Sequence, residues 1–371
     1  MRPRDVVVVG GSTAGATFMR EVRRRGFDGR LVLLDPADGT NRPPLSKGVL
    51  TKGDDPASVL MDHTSLGVEH VRSAARSLDP DRRVVLDEDG EAHPYDTLVI
   101  ASGSRARSIA APGQEGELLL RTTDDAVRLR TRLERASSVV VVGAGFLGLE
   151  VATAAARAGA QVCVVDVDPP LQRLLGPSLA TRLTERASGL GIEFRRGSVA
   201  LHGSPVTGVR LADGTLLEAD VVVSCVGDVP NTEWAAGTDL AAPHGLEIDE
   251  RARTLRPDVL AVGDVAAVRT GSVAVRGPFW ANAVAQGRVA AATVLDEPAP
   301  CGITDDYFWT EIAGVSLKAV GALPLSGEPE VLEEGDDDSA ILAWGDQAVV
   351  AYGMRRSLPQ LRGLARGVMS G

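Results

Sequence analysis

Along the chain, unbroken apolar runs alternate with stretches whose apolar residues recur at helical spacing. The runs stand in DVVVVG, TLVIAS, SSVVVVG, QVCVVD, DVVVSC and RPDVLAVGD, most of them closed by glycine or aspartate. Short valine-rich runs of this kind predict strands buried on both faces, as in a parallel sheet covered by helices. The stretch after the first run, TAGATFMREVRRRG, has helical periodicity, and RLVLLD then returns to strand. The same order recurs in SSVVVVGAGFLGLEVATAAARAGAQVCVVD, so the pattern predicts two βαβ units. Near the end, SAILAWGDQAVVAYGM predicts further strands and RRSLPQLRGLARG a basic helix. No other repeat and no low-complexity linker is present.

Both units carry glycines where a dinucleotide needs them. In the first, Gly10 allows a tight turn and Gly15 lets helix and strand pack closely, while Ser12, Thr13 and Ala14 place the helix N-terminus toward a pyrophosphate. The middle glycine of the motif is Ser12, still small enough for close backbone approach. Asp35, 25 positions after Gly10, closes the second strand where a carboxylate accepts hydrogen bonds from a ribose diol. The second unit has the intact motif, Gly143, Gly145 and Gly148 with Phe146 and Leu147 between, and Asp166 lies 23 positions after Gly143. An acid there favours a free 2′-hydroxyl and repels a 2′-phosphate, so NADH is expected over NADPH. Three further strand ends meet turns, at Ala101-Ser102-Gly103, at Gly227 ahead of Pro230-Asn231, and at Gly263-Asp264 before a helix-like stretch.

Composition narrows the classes. At 371 residues the chain is long enough for two or three domains. A net charge of -11 argues against a nucleic-acid partner. A strand expected by about Asp5 leaves no room for a signal peptide, and no apolar run has the length of a membrane span, which points to a cytoplasmic protein. Cys163, Cys225 and Cys301 form no close pair in sequence, which argues against a redox dithiol and a thiolate metal site. The histidines, including His63, His70 and His93, lack metal-ligand spacing and read as surface or loop residues, so no metal is expected. Between the two units lies RPPLSK, residues 42–47, whose paired prolines argue against a helix start and stiffen a loop that delivers Lys47.

With these residues in hand, the chain resembles the two-dinucleotide-binding flavoproteins of the pyridine nucleotide–disulfide oxidoreductase fold. Within them it is most similar to bacterial NADH-dependent ferredoxin reductases of oxygenase systems. The likeness rests on RPPLSK, on LRTTDDA at residues 120–126, on FWANAVAQGRVAA at 279–291 and on YFWTE at 307–311. It implies an α/β fold with two Rossmann-like domains, an FAD domain (1–109 and 232–303) into which an NADH domain (110–231) is inserted. A small α+β C-terminal interface domain (304–371) follows. It implies FAD on the first glycine motif, with Asp264 and Gly263 at the ribityl chain, Arg42 and Arg121 at the pyrophosphate or adenine side, and Ala75 at the adenine. Trp280, Ala281 and Trp309 would lie by the isoalloxazine, and Lys47, paired with Glu150, near flavin N5 as the catalytic pair. A monomer or homodimer passing electrons singly to a ferredoxin-type iron–sulfur protein is the implied activity.

Three departures bear on the acceptor. Pro278-Phe279 replaces the usual Glu-His, Thr310-Glu311-Ile312-Ala313 replaces Ser-Asp-Gln-Tyr, and Ser102 stands for threonine. A more apolar rim would suit a second reading, an FAD enzyme acting directly on a small organic substrate in a biosynthetic pathway. A third is a redox-sensing flavoprotein with an interaction role. The cysteine pair of a disulfide reductase and the single cysteine of a peroxidase or coenzyme A disulfide reductase are both missing. Arg355, Arg356, Arg362 and Arg366 could offer an acidic ferredoxin a basic patch, although a solvated helix face is the plainer expectation.

Overall fold

The computed structural model describes residues 3–240 and 244–369. The chain divides into two compact units, one made of Met1–Arg42, Ala57–Arg105 and Asp228–Asp305, the other of Pro43–Pro56, Ala106–Gly227 and Asp306–Gly371. In the first unit the opening valine run forms the strand Asp5–Val9, central in a five-stranded parallel sheet. The sheet order is Val259–Ala261, Thr97–Ile100, Asp5–Val9, Arg30–Leu34, Glu69–Val71. Val6, Val7 and Val8 are 0 % exposed, so both faces are covered and the run has no polar alternation. The helix Thr13–Arg24 returns from this strand and packs on the helix Trp280–Val294. Gly287 permits the close crossing, since a Cβ there would come 2.7 Å from the Ala14 carbonyl oxygen.

The second unit repeats the design. Its parallel sheet runs Ile192–Arg196, Gln161–Asp166, Ser138–Val142, Val221–Ser224, with the helix Phe146–Arg157 following the central strand. The same unit contains an antiparallel five-stranded sheet, ordered Tyr307–Ile312, Val315–Gly321, Ala348–Tyr352, Ala340–Trp344, Glu330–Glu334, and the closing helix Leu358–Met369. Among the described residues no helix is long and apolar enough to cross a membrane, and no cluster of His, Cys, Asp and Glu is placed to hold a metal.

Three expectations change. The prolines of RPPLSK do not prevent a helix: Leu45–Lys52 is helical and begins directly after Pro44, whose φ of -70° and ψ of -16° already suit a helix. Proline is tolerated in a first turn because its missing N–H would have no partner there. The stretch after Gly263-Asp264 is a strand, Ala266–Thr270, because it turns at Gly271 and pairs with Val273–Arg276. His63 and His93 are buried, at 6 % and 8 % exposure, rather than surface residues.

The buried His93 Nε2 lies 2.9 Å from Asp87 Oδ2, and Asp87 Oδ1 accepts from the Glu91 N–H at 2.9 Å. These hydrogen bonds, the His93 one first, hold the Asp87 carboxyl below its ordinary value. A depressed folded-state value contributes stability above the unfolded carboxyl value of about 3.9 and loses it as pH falls through the folded one. Asp87→Asn is therefore expected to melt lower than wild type at pH 7, with the gap closing as the pH falls below the ordinary carboxyl value. Melting curves across that range check it, and a gap independent of pH would refute the assignment.

Candidate functional site

In the first unit, the turn after Asp5–Val9 is shaped by glycines that cannot carry side chains. Gly10 has φ +100°, and a Cβ on it would overlap the Ala101 carbonyl oxygen; one on Gly15 would overlap the Gly10 carbonyl oxygen. Ser12 begins the helix without capping it, because its hydroxyl accepts from the Thr40 N–H at 3.1 Å. The first turn of that helix has no acid. Its N–H groups and positive dipole end are thus left for an anionic ligand. The Asp35 carboxylate accepts from the Gly11 N–H at 2.6 Å and the Ala37 N–H at 3.0 Å, which fixes it at the mouth of the turn.

Other predicted residues of this unit gather nearby. Ala101-Ser102-Gly103 ends the neighbouring strand, with the Arg42 guanidinium 3.7 Å from where a Gly103 Cβ would stand. Ser104 Oγ donates to Asp264 Oδ2 at 3.2 Å, and the Gly263 N–H donates to the buried Gln286 Oε1 at 2.7 Å. Gln286 thus anchors the Gly-Asp turn. Ala75 opens the strand Ala75–Asp79 and packs on the unit's core. Trp280 begins its helix at 39 % exposure, with Ala281 buried beside it.

The second unit repeats the glycine turn almost atom for atom. Gly143 has φ +106°, and its Cβ would overlap the Cys225 carbonyl oxygen; a Cβ on Gly148 would overlap the Gly143 carbonyl oxygen. Gly145 begins the helix Phe146–Arg157 without a side-chain cap and with no acid in its first turn. Asp166 accepts from the Ala144 N–H at 2.6 Å and the Asp168 N–H at 3.1 Å, as Asp35 does in the first unit. Gly227, at φ +96°, follows the next strand of the sheet. Arg121 stands just before the capping box of Thr123–Leu133, its N–H donating to Asp125.

Lys47 and Glu150 also belong to this unit and meet at 2.8 Å. The helix Leu45–Lys52 breaks at Lys47 (φ -113°, ψ -105°), and the Pro44 carbonyl accepts from both the Lys47 and Val49 N–H groups at 3.1 Å. Glu150 is 6 % exposed. Besides Lys47 it accepts from Ser46 Oγ and from Thr310 Oγ1, the latter at 2.6 Å. A buried carboxylate is tolerated only with such a set of donors. The Lys47 ammonium also lies 5.7 Å from the Trp309 ring centroid, within cation–π range. Burial, with the Glu150 charge adding to it, pushes the Cys225 thiol up to about 12, so it stays protonated and unreactive.

The residues of both glycine turns fit a pyrophosphate-bearing dinucleotide by these observations: uncapped helix ends, carboxylates fixed opposite them, and turns held tight by glycines with no room for a Cβ at Gly10, Gly15, Gly143 and Gly148. A family model, pyridine nucleotide-disulphide oxidoreductase, matches residues 4–287. The chain belongs to that family. Its cofactors are FAD and NADH. The chain is similar to terpredoxin reductase of a Pseudomonas species, 34 % identical over 94 % of this chain and 89 % of the relative. It is 31 % identical to the ferredoxin–NAD(+) reductase component of the Paraburkholderia xenovorans biphenyl dioxygenase system, over 90 % of this chain and 84 % of the relative. Among solved structures it resembles a ferredoxin reductase from Rhodopseudomonas palustris with TM-score 0.86 and 30 % identity, covering 94 % of this chain and 91 % of that one.

Sequence reasoning missed Ser46, Thr310 and Gln286 as supports and His63 as a buried group. Ser46 adjoins Lys47, and Thr310 was counted among departures although it keeps the hydroxyl of the serine it replaces. Those two were visible as hydroxyls, but their convergence on Glu150 needs residues 104 and 160 positions apart.

Proposed function

We propose that this protein is an NADH-dependent flavoprotein reductase that passes electrons singly to a small ferredoxin-type iron–sulfur protein in the cytoplasm. The first unit's glycine turn would hold FAD and the second's NADH. Residues 304–371 would form the interface domain. FAD supplies the chemistry that joins a two-electron hydride donor to a one-electron acceptor. The chain's own part is to align the nicotinamide, exclude water and hold a fixed positive charge at the reacting edge.

The observation that carries the reading is the Lys47–Glu150 pair, held by Ser46 from the Lys47 helix and by Thr310 from the strand Tyr307–Ile312. The pair keeps a charged ammonium in a partly buried place, and hydride transfer needs no further acid or base. The inert Cys225 thiol agrees with electrons leaving without a thiol relay. Ile312, one of the substitutions that suggested an organic substrate, is 0 % exposed within its strand and adds nothing to a rim. That observation favours the iron–sulfur acceptor over the organic one.

Anaerobic titration with NADH and with NADPH, followed by visible flavin absorbance, tests the first half-reaction. Bleaching by NADH, then reoxidation by a ferredoxin or rubredoxin, is expected; failure of both nucleotides to bleach the flavin would refute the reading. Asp166→Ser removes the carboxylate that repels a 2′-phosphate, beside the exposed Arg196 whose Nε donates to the Val167 carbonyl at 3.1 Å. The NADH-over-NADPH ratio in kcat/KM should fall by about 100-fold in that variant. An unchanged ratio would remove Asp166 from the nucleotide site.

A further inference from the structure

The strand Tyr307–Ile312 lies along the helix that follows the second glycine turn, and three pairs join them. The Phe146 and Phe308 rings stand with centroids 4.1 Å apart. Thr310 Oγ1 donates to Glu150 Oε1 at 2.6 Å, and just past the strand the Ala313 N–H donates to Thr153 Oγ1 at 3.1 Å. On the helix these partners fall at i, i+4 and i+7, which is one face. On the strand Phe308 and Thr310 are alternate residues and share a face. The outer two pairs are plain fastening, rings in contact and a backbone N–H meeting a hydroxyl. The middle pair differs, because it directs a donor at a buried carboxylate.

Thr310 is 0 % exposed and Glu150 6 %. For packing alone valine would have the same shape, so the hydroxyl matters for what it bonds. The carboxylate is divided between its partners. Ser46 serves Oε2, whereas Thr310 and the Lys47 ammonium, at 2.8 Å, share Oε1. Thr310 thus holds the oxygen that holds the ammonium. Ser46 and Lys47 belong to one helix, broken at Lys47, and their bonds alone would let Glu150 shift together with that helix. Thr310 instead ties the carboxylate to a strand paired along its length with Val315–Gly321. The other contacts of the ammonium are longer, 3.4 Å to the Pro43 carbonyl oxygen and 5.7 Å to the Trp309 ring centroid.

We propose that Thr310 is the positioning residue for the Lys47 ammonium, fixing it through the Glu150 carboxylate from the strand Tyr307–Ile312. Its bearing on the reaction rests on the reading of Lys47 as the charge at the reacting edge, whereas its hold on the ammonium does not. Hydrogen bonds to a charged group are among the strong ones, and a short hydroxyl–carboxylate bond leaves the acceptor little freedom to turn. The hydroxyl, not the methyl, carries the effect. Serine therefore keeps it, and valine keeps the shape while losing it.

Lysine acylation reads the ammonium directly, because the chain has three lysines, Lys47, Lys52 and Lys318. The purified proteins are treated briefly with an acetyl succinimidyl ester, and mass spectrometry compares acylation of Lys47 with that of the exposed Lys52. Thr310→Val should acylate at Lys47 about 10-fold faster than wild type, the weight of one hydrogen bond to a charged group, and Thr310→Ser within about 2-fold of it. Flavin reduction by NADH should slow in Thr310→Val by about the same factor, in kcat and not in KM. Glu150→Gln removes the charge through which Thr310 acts. It should expose Lys47 at least as much, and Thr310→Val added to it should change acylation no further. That double variant leaves no buried charge unserved, so it keeps the test decisive if Thr310→Val alone folds poorly. Wild-type acylation of Lys47 in Thr310→Val, or a further rise in the double variant, overturns the inference. Faster acylation with an unchanged rate of flavin reduction upholds it and overturns the role proposed for Lys47 in the reaction.

Discussion

Methionine in place of Lys47 is expected to slow flavin reduction by NADH on the order of 100-fold while FAD stays bound. On the proposed reading the ammonium is the cation at the reacting edge, and methionine keeps the length of the side chain without the charge. Stability should fall as well, because Glu150 is left at 6 % exposure with only Ser46, Thr310 and a long contact from the Glu311 N–H at 3.4 Å. Removing one member of a buried pair costs about 3–5 kcal/mol where nothing else serves the remaining charge. Here the hydroxyls remain and Lys47 is 18 % exposed, so a cost of about 2 kcal/mol is the better expectation. The double variant Lys47→Met/Glu150→Leu separates the two effects. Removing both charges should recover part of the lost stability and none of the lost rate. Stopped-flow reduction and thermal melting of the three proteins decide the matter. If the double variant regained the rate, Lys47 would be a structural lysine.

How far the sequence reveals this protein depends on whether a feature is local. The two parallel sheets follow from unbroken valine runs, because a strand covered on both faces has no polar alternation to hide it. The glycine turns and their acids are legible because motif and carboxylate lie within one βαβ unit, Gly10 with Asp35 and Gly143 with Asp166. RPPLSK was read wrongly as a stiff loop for a local reason: proline's ban on helix interiors does not extend to the helix start, where Pro44 is the capping residue. The strand Ala266–Thr270 was misread because AAVRT has no decisive periodicity, and only its pairing across Gly271 makes it a strand. His63, Ser46 and Thr310 were illegible for a different reason. Ser46 and Thr310 act through Glu150, far along the chain, and His63 is buried by the fold, neither of which residue type alone announces. Thr310 is instructive, since a substitution that looked like a departure preserves the one hydroxyl that Glu150 uses.

The two glycine turns allow the assignment of the two dinucleotides to be tested by a matched pair of substitutions, Gly10→Ala and Gly143→Ala. Both positions have positive φ, +100° and +106°, where an L-residue is strained by roughly 1–2 kcal/mol. In both, the new methyl would overlap a carbonyl oxygen of the neighbouring strand's turn, that of Ala101 in one and Cys225 in the other. The mechanical insult is therefore nearly the same, and any difference in outcome reports what each turn holds. Gly10→Ala should emerge colourless, with FAD content reduced at least about 10-fold, because the turn that fits the pyrophosphate is displaced. Gly143→Ala should remain yellow and still be bleached by dithionite, yet its reduction by NADH should fall on the order of 100-fold. Flavin content by heat extraction and anaerobic titration with each reductant read both variants. The reverse pattern, a yellow Gly10→Ala and a colourless Gly143→Ala, would exchange the two sites, and with them the roles assigned to Asp35 and Asp166.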